Sequence, residues 1–210
     1  MSGQATAQAQ LALPLLDEGG AASRIIIGEA NTAAAKALTD PAQWPFYTAI
    51  LTGPPRSGKT LIGGWFVAEH PQAQVVDDAD RAAEAELFHA WNRAQESGAP
   101  LLLIASDKSW QVQLPDLRSR LAAALHVAIG PPDDALLASL IELHAERRRL
   151  VLGEGAATYL ASRIGRSHAA AEAVVAEIDR LSLERKVPPT RSVWRDALEA
   201  VEGPEQSRLL

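Results

Sequence analysis

Gly53-Pro54-Pro55-Arg56-Ser57-Gly58-Lys59-Thr60 decides how the rest of this chain is read, because it fits G-x-x-x-x-G-K-[ST] at every fixed position. In such a loop the glycines let backbone N–H groups turn toward phosphate oxygens. The lysine reaches the outer phosphates and the hydroxyl of the last residue holds Mg²⁺. Both flanks suit that use. Tyr47-Thr48-Ala49-Ile50-Leu51-Thr52 has the apolar character of a buried strand, and Leu61-Ile62-Gly63-Gly64-Trp65-Phe66-Val67 opens a helix whose N-terminus attracts anions. The stretch predicts ADP or ATP with Mg²⁺ as ligand, with Gly53, Pro54, Pro55, Arg56, Ser57, Gly58, Lys59 and Thr60 as its cradle.

A phosphate cradle of this kind needs an acid at the end of a neighbouring strand to hold the metal shell. Gln74-Val75-Val76-Asp77-Asp78 supplies one. Asp77 is the expected metal partner beside Thr60, and Asp78 the group that orients an attacking water. Asp80 reads as a cap for the helix that follows. Leu101-Leu102-Leu103-Ile104-Ala105 is a second apolar strand of the kind found inside parallel sheets, and it ends in Ser106 and Asp107. Strand C-termini line the ligand crevice in such sheets, so Ser106 and Asp107 are candidates for contact with the phosphates. Arg118 and Arg120 follow in Leu114-Pro115-Asp116-Leu117-Arg118-Ser119-Arg120-Leu121. An arginine can complete a neighbour's site by stabilising charge on the transferring phosphoryl group, although an exposed structural arginine has the same local sequence.

Working outward, residues 1–23 read as a tail without fixed structure, rich in Ala, Gln and Gly. Inside it Gln10-Leu11-Ala12-Leu13-Pro14-Leu15-Leu16 concentrates apolar side chains that suit either a partner's groove or the chain's own surface. Residues 24–131 alternate short strands and helices, an α/β nucleotide-binding base. After Pro131-Pro132 the pattern is helical only, over 132–201, and 202–210 reads as a second tail. The fold class expected is α/β, a P-loop NTPase base followed by a small all-helical lid.

Composition narrows the setting. The 210-residue chain is 47% hydrophobic and has no cysteine, which excludes disulfides, thiolate metal sites and thiol catalysis. Its formal charge of −6 argues against broad nucleic-acid binding. The basic run Glu146-Arg147-Arg148-Arg149 reads first as an exposed helix end. No apolar run approaches a bilayer span of about 20 residues, and the N-terminus lacks a signal-peptide layout, so a cytoplasmic location is expected.

The order of P-loop, Asp-Asp strand, polar strand end, Leu-Pro-Asp-Leu-Arg-Ser-Arg-Leu and helical lid resembles the AAA+ core of the bacterial replication initiator DnaA. It is most similar to the Hda family of DnaA-related regulators in its alphaproteobacterial form. Gly28-Glu29-Ala30-Asn31 resembles the DnaA-type entry segment Gly-x-x-Asn, which implies a place for Asn31 near the adenine. Leu114 to Leu121 resembles the segment carrying the arginine finger, which implies that role, in trans, for Arg120. Gln10, Leu11, Leu13, Pro14 and Leu15 match the Gln-Leu-x-Leu-Pro-Leu motif by which Hda proteins bind the sliding clamp. The resemblance implies regulatory inactivation of DnaA: a nucleotide-bound regulator docks on the DNA-loaded clamp, engages ATP-DnaA and stimulates hydrolysis there. Its own nucleotide would then act mainly on its conformation.

The chain departs from the family pattern in three places. Asp77 follows Thr60 by only about 17 residues, so one βα unit is missing; the sheet should be narrow, with four strands and an open edge. The lid's nucleotide-sensing arginine falls where Ala169 stands, which leaves Arg166 as substitute, with Arg163 behind it. Arg56 occupies a loop position that is often small. Only Glu202 to Leu210 follow the last helix, too few for a helix-turn-helix, so no direct sequence-specific DNA binding and no membrane contact are expected. A homodimer that hides Arg120 when idle is one arrangement such a chain allows. An initiator or loader acting on DNA, a P-loop ATPase or small-molecule kinase, and an interaction module with a vestigial loop are the competing readings. The last is opposed by the intact Lys59, Thr60, Asp77 and Asp78.

Overall fold

The computed structural model describes residues 12–16, 22–106 and 110–203. Gln10, Leu11 and Asp107 therefore lie outside the described residues. The first part of the chain contains β1 (Ala12–Leu16), β2 (Ala22–Ile26), α1 (Glu29–Thr39), β3 (Thr48–Thr52), α2 (Lys59–Glu69), β4 (Gln74–Val76) and α3 (Glu84–Ser97). It continues through β5 (Leu101–Ala105), α4 (Pro115–Ala122) and β6 (Leu125–Ala128) into α5 (Asp134–Arg147), α6 (Ala156–Ala161), α7 (His168–Arg185) and α8 (Arg191–Glu202).

The two apolar runs read as strands form the centre of a four-stranded sheet of order β4-β5-β3-β6. Both β3 and β5 are buried at every position. They pair in parallel, Thr48 opposite Leu101 and Thr52 opposite Ala105. β6 flanks β3 and β4 flanks β5, also in parallel. Because side chains alternate along a strand, each run serves two cores. Ala49, Leu51, Leu102 and Ile104 pack with Leu38 of α1 and Ile62, Trp65 and Phe66 of α2. Ile50, Leu101 and Leu103 pack with Leu87, Ala90 and Ala94 of α3 and Leu117 and Leu121 of α4. Burying one such leucine contributes about 1.5–3 kcal/mol. The result is the expected narrow α/β sheet with helices on both faces.

α2 lies close against the sheet because Gly63 faces it: a Cβ there would stand 2.7 Å from Ile104 Cδ1 and 3.3 Å from Val75 Cγ1. Residues 70–73 alone connect α2 to β4, which leaves no room for a further strand and helix. Among the described residues β4, three residues long, is consequently an edge strand that pairs with β5 alone.

One expectation is corrected here. The stretch 1–23, read as a tail without fixed structure, contains β1, which pairs antiparallel with β2 with Leu13 opposite Ile25 and Pro14 opposite Arg24. The leucines of β1 and the β-branched Ile25 and Ile26 favour extended pairing. Among the described residues β1 pairs with β2 alone, and an edge strand tolerates Pro14.

Helices α5 to α8 gather around their own core, built from Leu137, Ile141, Leu160, Val174, Ile178 and Trp194 among others. Their starts are set locally. The Asp133 carboxylate accepts from Leu136 N–H at 2.7 Å and the Ser167 hydroxyl from Ala170 N–H at 3.0 Å, caps worth about 1 kcal/mol each. The Trp194 indole donates to Pro189 O at 2.8 Å, which seats α8 after Pro188-Pro189.

Candidate nucleotide-binding site

The loop Gly53–Thr60 leaves the C-terminal end of β3 and delivers Lys59 as the first residue of α2. Gly58 precedes it with φ +83°, a left-handed conformation that favours glycine. Lys59 Nζ donates to the carbonyls of Gly53 and Pro54 at 2.8 and 2.9 Å. The cation is thereby folded over its own loop. Burial pushes its ammonium below the ordinary range, and the carboxylates of Asp77, Asp80 and Asp78 oppose that shift. Ser57 is buried, and its hydroxyl oxygen has no hydrogen-bond partner.

Thr60 and Asp77 meet as the sequence leads one to expect. The Thr60 hydroxyl donates to Asp77 Oδ2 at 2.7 Å, and the other carboxylate oxygen accepts from Asp78 N–H at 2.9 Å. A hydroxyl and an exposed carboxylate side by side are hard oxygen donors, and such a pair suits Mg²⁺, which binds through one or two carboxylates together with substrate phosphates. Asp78 follows with φ +49° and an exposed side chain.

The Ser106 hydroxyl, at the end of β5, donates to Asp80, a contact that the sequence did not indicate. Asp80 is thus tied to β5 rather than capping α3, whose N-cap residue is Ala83. The first turn of α3 serves elsewhere: the Glu84 carboxylate accepts from the N–H groups of Gln113 and Leu114 at 2.6 and 2.7 Å. That contact anchors the segment leading to Arg118 and Arg120.

Arg56 stands in the loop with φ +62° and forms an ion pair with Glu172 of α7. Hydrogen bonding to Arg56 holds the Glu172 carboxyl below the usual carboxylate range. The loop and the helical part are therefore joined through a residue that the sequence marked only as unusual. Arg166 instead pairs with Asp134 at 3.0 Å. Arg163 stacks on Tyr159, 4.0 Å from the ring centroid, and bonds the Tyr159 carbonyl at 2.9 Å.

Beside the loop a cavity of about 80 Å³ opens between β2, α1, α5 and α7, lined by Ile25, Asn31, Ser57, Leu61, Leu136 and His168 among others. Asn31 faces it but is engaged at both ends of its amide. Its Oδ1 accepts from Gly28 N–H at 2.8 Å and its Nδ2 donates to Ile26 O at 2.9 Å. Asn31 thus shapes the turn from β2 into α1. Burial pushes the imidazoles of His144 and His168, which also line the cavity, below their ordinary value.

Arg120 lies on the opposite face of the sheet, on α4. Asp116 holds it through bonds of 3.0 Å to Nε and 2.8 Å to Nη2, and Asn92 accepts from Nη1 at 2.7 Å. Its guanidinium lies 4.5 Å from the Phe88 ring centroid and 4.3 Å from that of Trp91. Arg118 is exposed and borders a larger cavity of about 630 Å³ with Ile50, Trp110, Leu121 and His126.

Domain III of the Thermotoga maritima replication initiation protein DnaA is similar to this chain with a TM-score of 0.69 and 16% identity, covering 86% of this chain and 95% of that one. The Thermotoga maritima RuvB Holliday junction branch migration motor is similar with a TM-score of 0.60 and 14% identity, over 86% of this chain and 72% of that one. The fold is that of an AAA+ ATPase domain. Within that AAA+ fold the P-loop, Asp77 and Ser106 follow the C-terminal ends of the parallel strands β3, β4 and β5. No protein-family model matches the chain. An uncharacterized protein of Haemophilus influenzae is 34% identical over 105 residues, which cover 48% of this chain and 45% of that protein. The chain thus spans less than half the length of that curated relative.

Proposed function

We propose that this chain is a nucleotide-dependent regulator of replication initiation of the Hda type, with residues 24–131 as base and 132–201 as lid. It binds ADP or ATP along Gly53–Thr60, with Mg²⁺ held by Thr60 and Asp77, and acts in the cytoplasm on ATP-bound DnaA. The observation that carries the nucleotide reading is the 2.7 Å bond from Thr60 to Asp77, which joins the P-loop to the acid of the neighbouring strand. Bound nucleotide supplies a polyphosphate that neutralises Lys59 and draws it away from the Gly53 and Pro54 carbonyls. Asp78 and Ser106 flank the same crevice, and Asp107 belongs with them by sequence. Arg166 is the lid's candidate sensor; it would have to leave Asp134 to serve.

Arg120 is the residue proposed to act on DnaA's nucleotide. Its cage of Asp116, Asn92, Phe88 and Trp91 pre-orients the guanidinium on the base. A partner's phosphate must then compete with one carboxylate, an exchange that a phosphoryl group with more charge favours. Gln10, Leu11, Leu13, Pro14 and Leu15 are proposed to bind the sliding clamp. A two-stranded ribbon is marginal by itself, so β1 can leave β2 for a clamp groove at low cost. A homodimer is the proposed idle state.

The test is the rate at which DnaA-bound ATP is hydrolysed on clamp-loaded DNA, with and without this chain, together with co-elution of chain and clamp. Acceleration that disappears on deletion of residues 1–16, with nucleotide binding retained, supports the proposal. Unchanged hydrolysis contradicts it, and phosphorylation of a metabolite by the isolated chain would favour a kinase instead.

A further inference from the structure

His168 is only 5% exposed, yet its Nδ1 is buried without a hydrogen-bond partner. Leaving a buried polar atom unpaired is costly, so its position calls for a reason. The imidazole lines the cavity beside the P-loop, whose walls are otherwise mainly aliphatic: Ile25, Ile26, Leu61, Leu136 and Leu140. Burial, followed by the nearby charges of His144 and Lys59, disfavours its protonation. A neutral imidazole offers at Nδ1 either an N–H donor or a lone-pair acceptor, according to tautomer.

The cavity is continuous with the phosphate cradle, since Arg56, Ser57 and Gly58 form part of its lining. A space of about 80 Å³ accommodates several waters by the usual allowance of about 10–15 Å³ each, and hence one flat heterocycle. Apolar walls with a few placed polar groups are the usual make-up of a site that fixes a ligand's orientation. Of the other polar side chains there, Asn31 is already bonded at both ends, Arg56 is paired with Glu172, and Ser57 belongs to the phosphate cradle itself. Among the described residues that line the cavity, Ser57 on the P-loop and His168 on α7 carry buried polar atoms without a partner, and His168 is the one outside the phosphate cradle.

We propose that His168 is the specificity-determining residue of the nucleotide site, its Nδ1 hydrogen-bonding the edge of a purine base while the P-loop holds the phosphates. This rests on the nucleotide reading above. It goes beyond that reading in assigning base recognition to α7 through a histidine, next to the position where Ala169 replaces the expected arginine.

Two substitutions separate recognition from packing. Asparagine places an amide atom near the position of Nδ1, whereas glutamine extends past it. Calorimetric titration of the full chain with ADP and with inorganic pyrophosphate should give ADP affinity close to wild type for His168→Asn. For His168→Gln it should be lower by about tenfold, the range of one lost hydrogen bond to a buried group. Pyrophosphate affinity should be unchanged in both. Equal ADP affinity in the two variants, or parallel loss of ADP and pyrophosphate binding, overturns the role of His168 while leaving the P-loop reading intact. Failure of the wild-type chain to bind either ligand overturns both. Should one variant not fold, His168→Leu, compared with wild type for the same two ligands, decides in its place: selective loss of ADP supports the assignment and undiminished ADP binding overturns it.

Discussion

Arg56 in the P-loop and Glu172 on the second turn of α7 form an ion pair across 116 positions of sequence. The partner of a P-loop cation is thus a carboxylate from the helical part. Phosphate and carboxylate compete for one guanidinium. Glu172→Gln should therefore raise affinity for inorganic pyrophosphate, and Arg56→Ala should lower it. Titration calorimetry reads both, and changes of the same sign contradict competition.

Acid should loosen the helical part in two stages. Burial keeps His144 and His168 below their ordinary 6.5. The unfolded chain therefore takes up protons first, so their contribution is full above about pH 6.5 and is lost as pH falls. Glu172, held below its ordinary 4.5 by Arg56, extends the loss at lower pH, where protonation breaks the pair. Thermal melting from pH 7 to pH 3 should show a falling Tm across both windows. His168→Asn should flatten the upper window and Glu172→Gln the lower.

Removing the carboxylate at Asp77 separates metal from phosphate. Asp77→Asn should abolish the gain in nucleotide affinity on adding Mg²⁺ while metal-free binding persists through the loop. Lys59→Ala should lose both. A Mg²⁺ response retained in Asp77→Asn would place the metal elsewhere.

The helical core has its own stability test. Leu160 is fully buried among Ile141, Val174 and Trp194. Leu160→Ala should cost about 2–5 kcal/mol in denaturant unfolding. Exposed Val151→Ala, by comparison, should lie within about 0.5 kcal/mol of wild type.

Much of this architecture was legible before any coordinates. The P-loop, the uniformly apolar β3 and β5, and the short spacing from Thr60 to Asp77 were enough for a narrow four-stranded sheet with helices after Pro132. What was not legible is tertiary pairing between distant polar residues. Ser106 with Asp80 and Arg56 with Glu172 lie 26 and 116 positions apart, and no periodicity encodes such contacts. Arg120's cage escaped for the same reason, since Asn92 lies 28 positions before it. The free Nδ1 of His168 becomes visible only when burial and bonding are known together. β1 escaped because a run of small and apolar residues in a polar segment carries no sign of which strand will pair with it.

Arg120 carries the central claim, because it is the residue proposed to act on a nucleotide this chain does not hold. Arg120→Ala should cost only about 1 kcal/mol of stability through the lost ring and carboxylate contacts. The decisive measurement is single-turnover hydrolysis of DnaA-bound ATP on clamp-loaded DNA, with wild-type chain and with Arg120→Ala at matched occupancy of clamp and nucleotide. Acceleration by wild type and none by the variant is the expected result; equal acceleration by both, or none by either, contradicts a trans-acting role for Arg120.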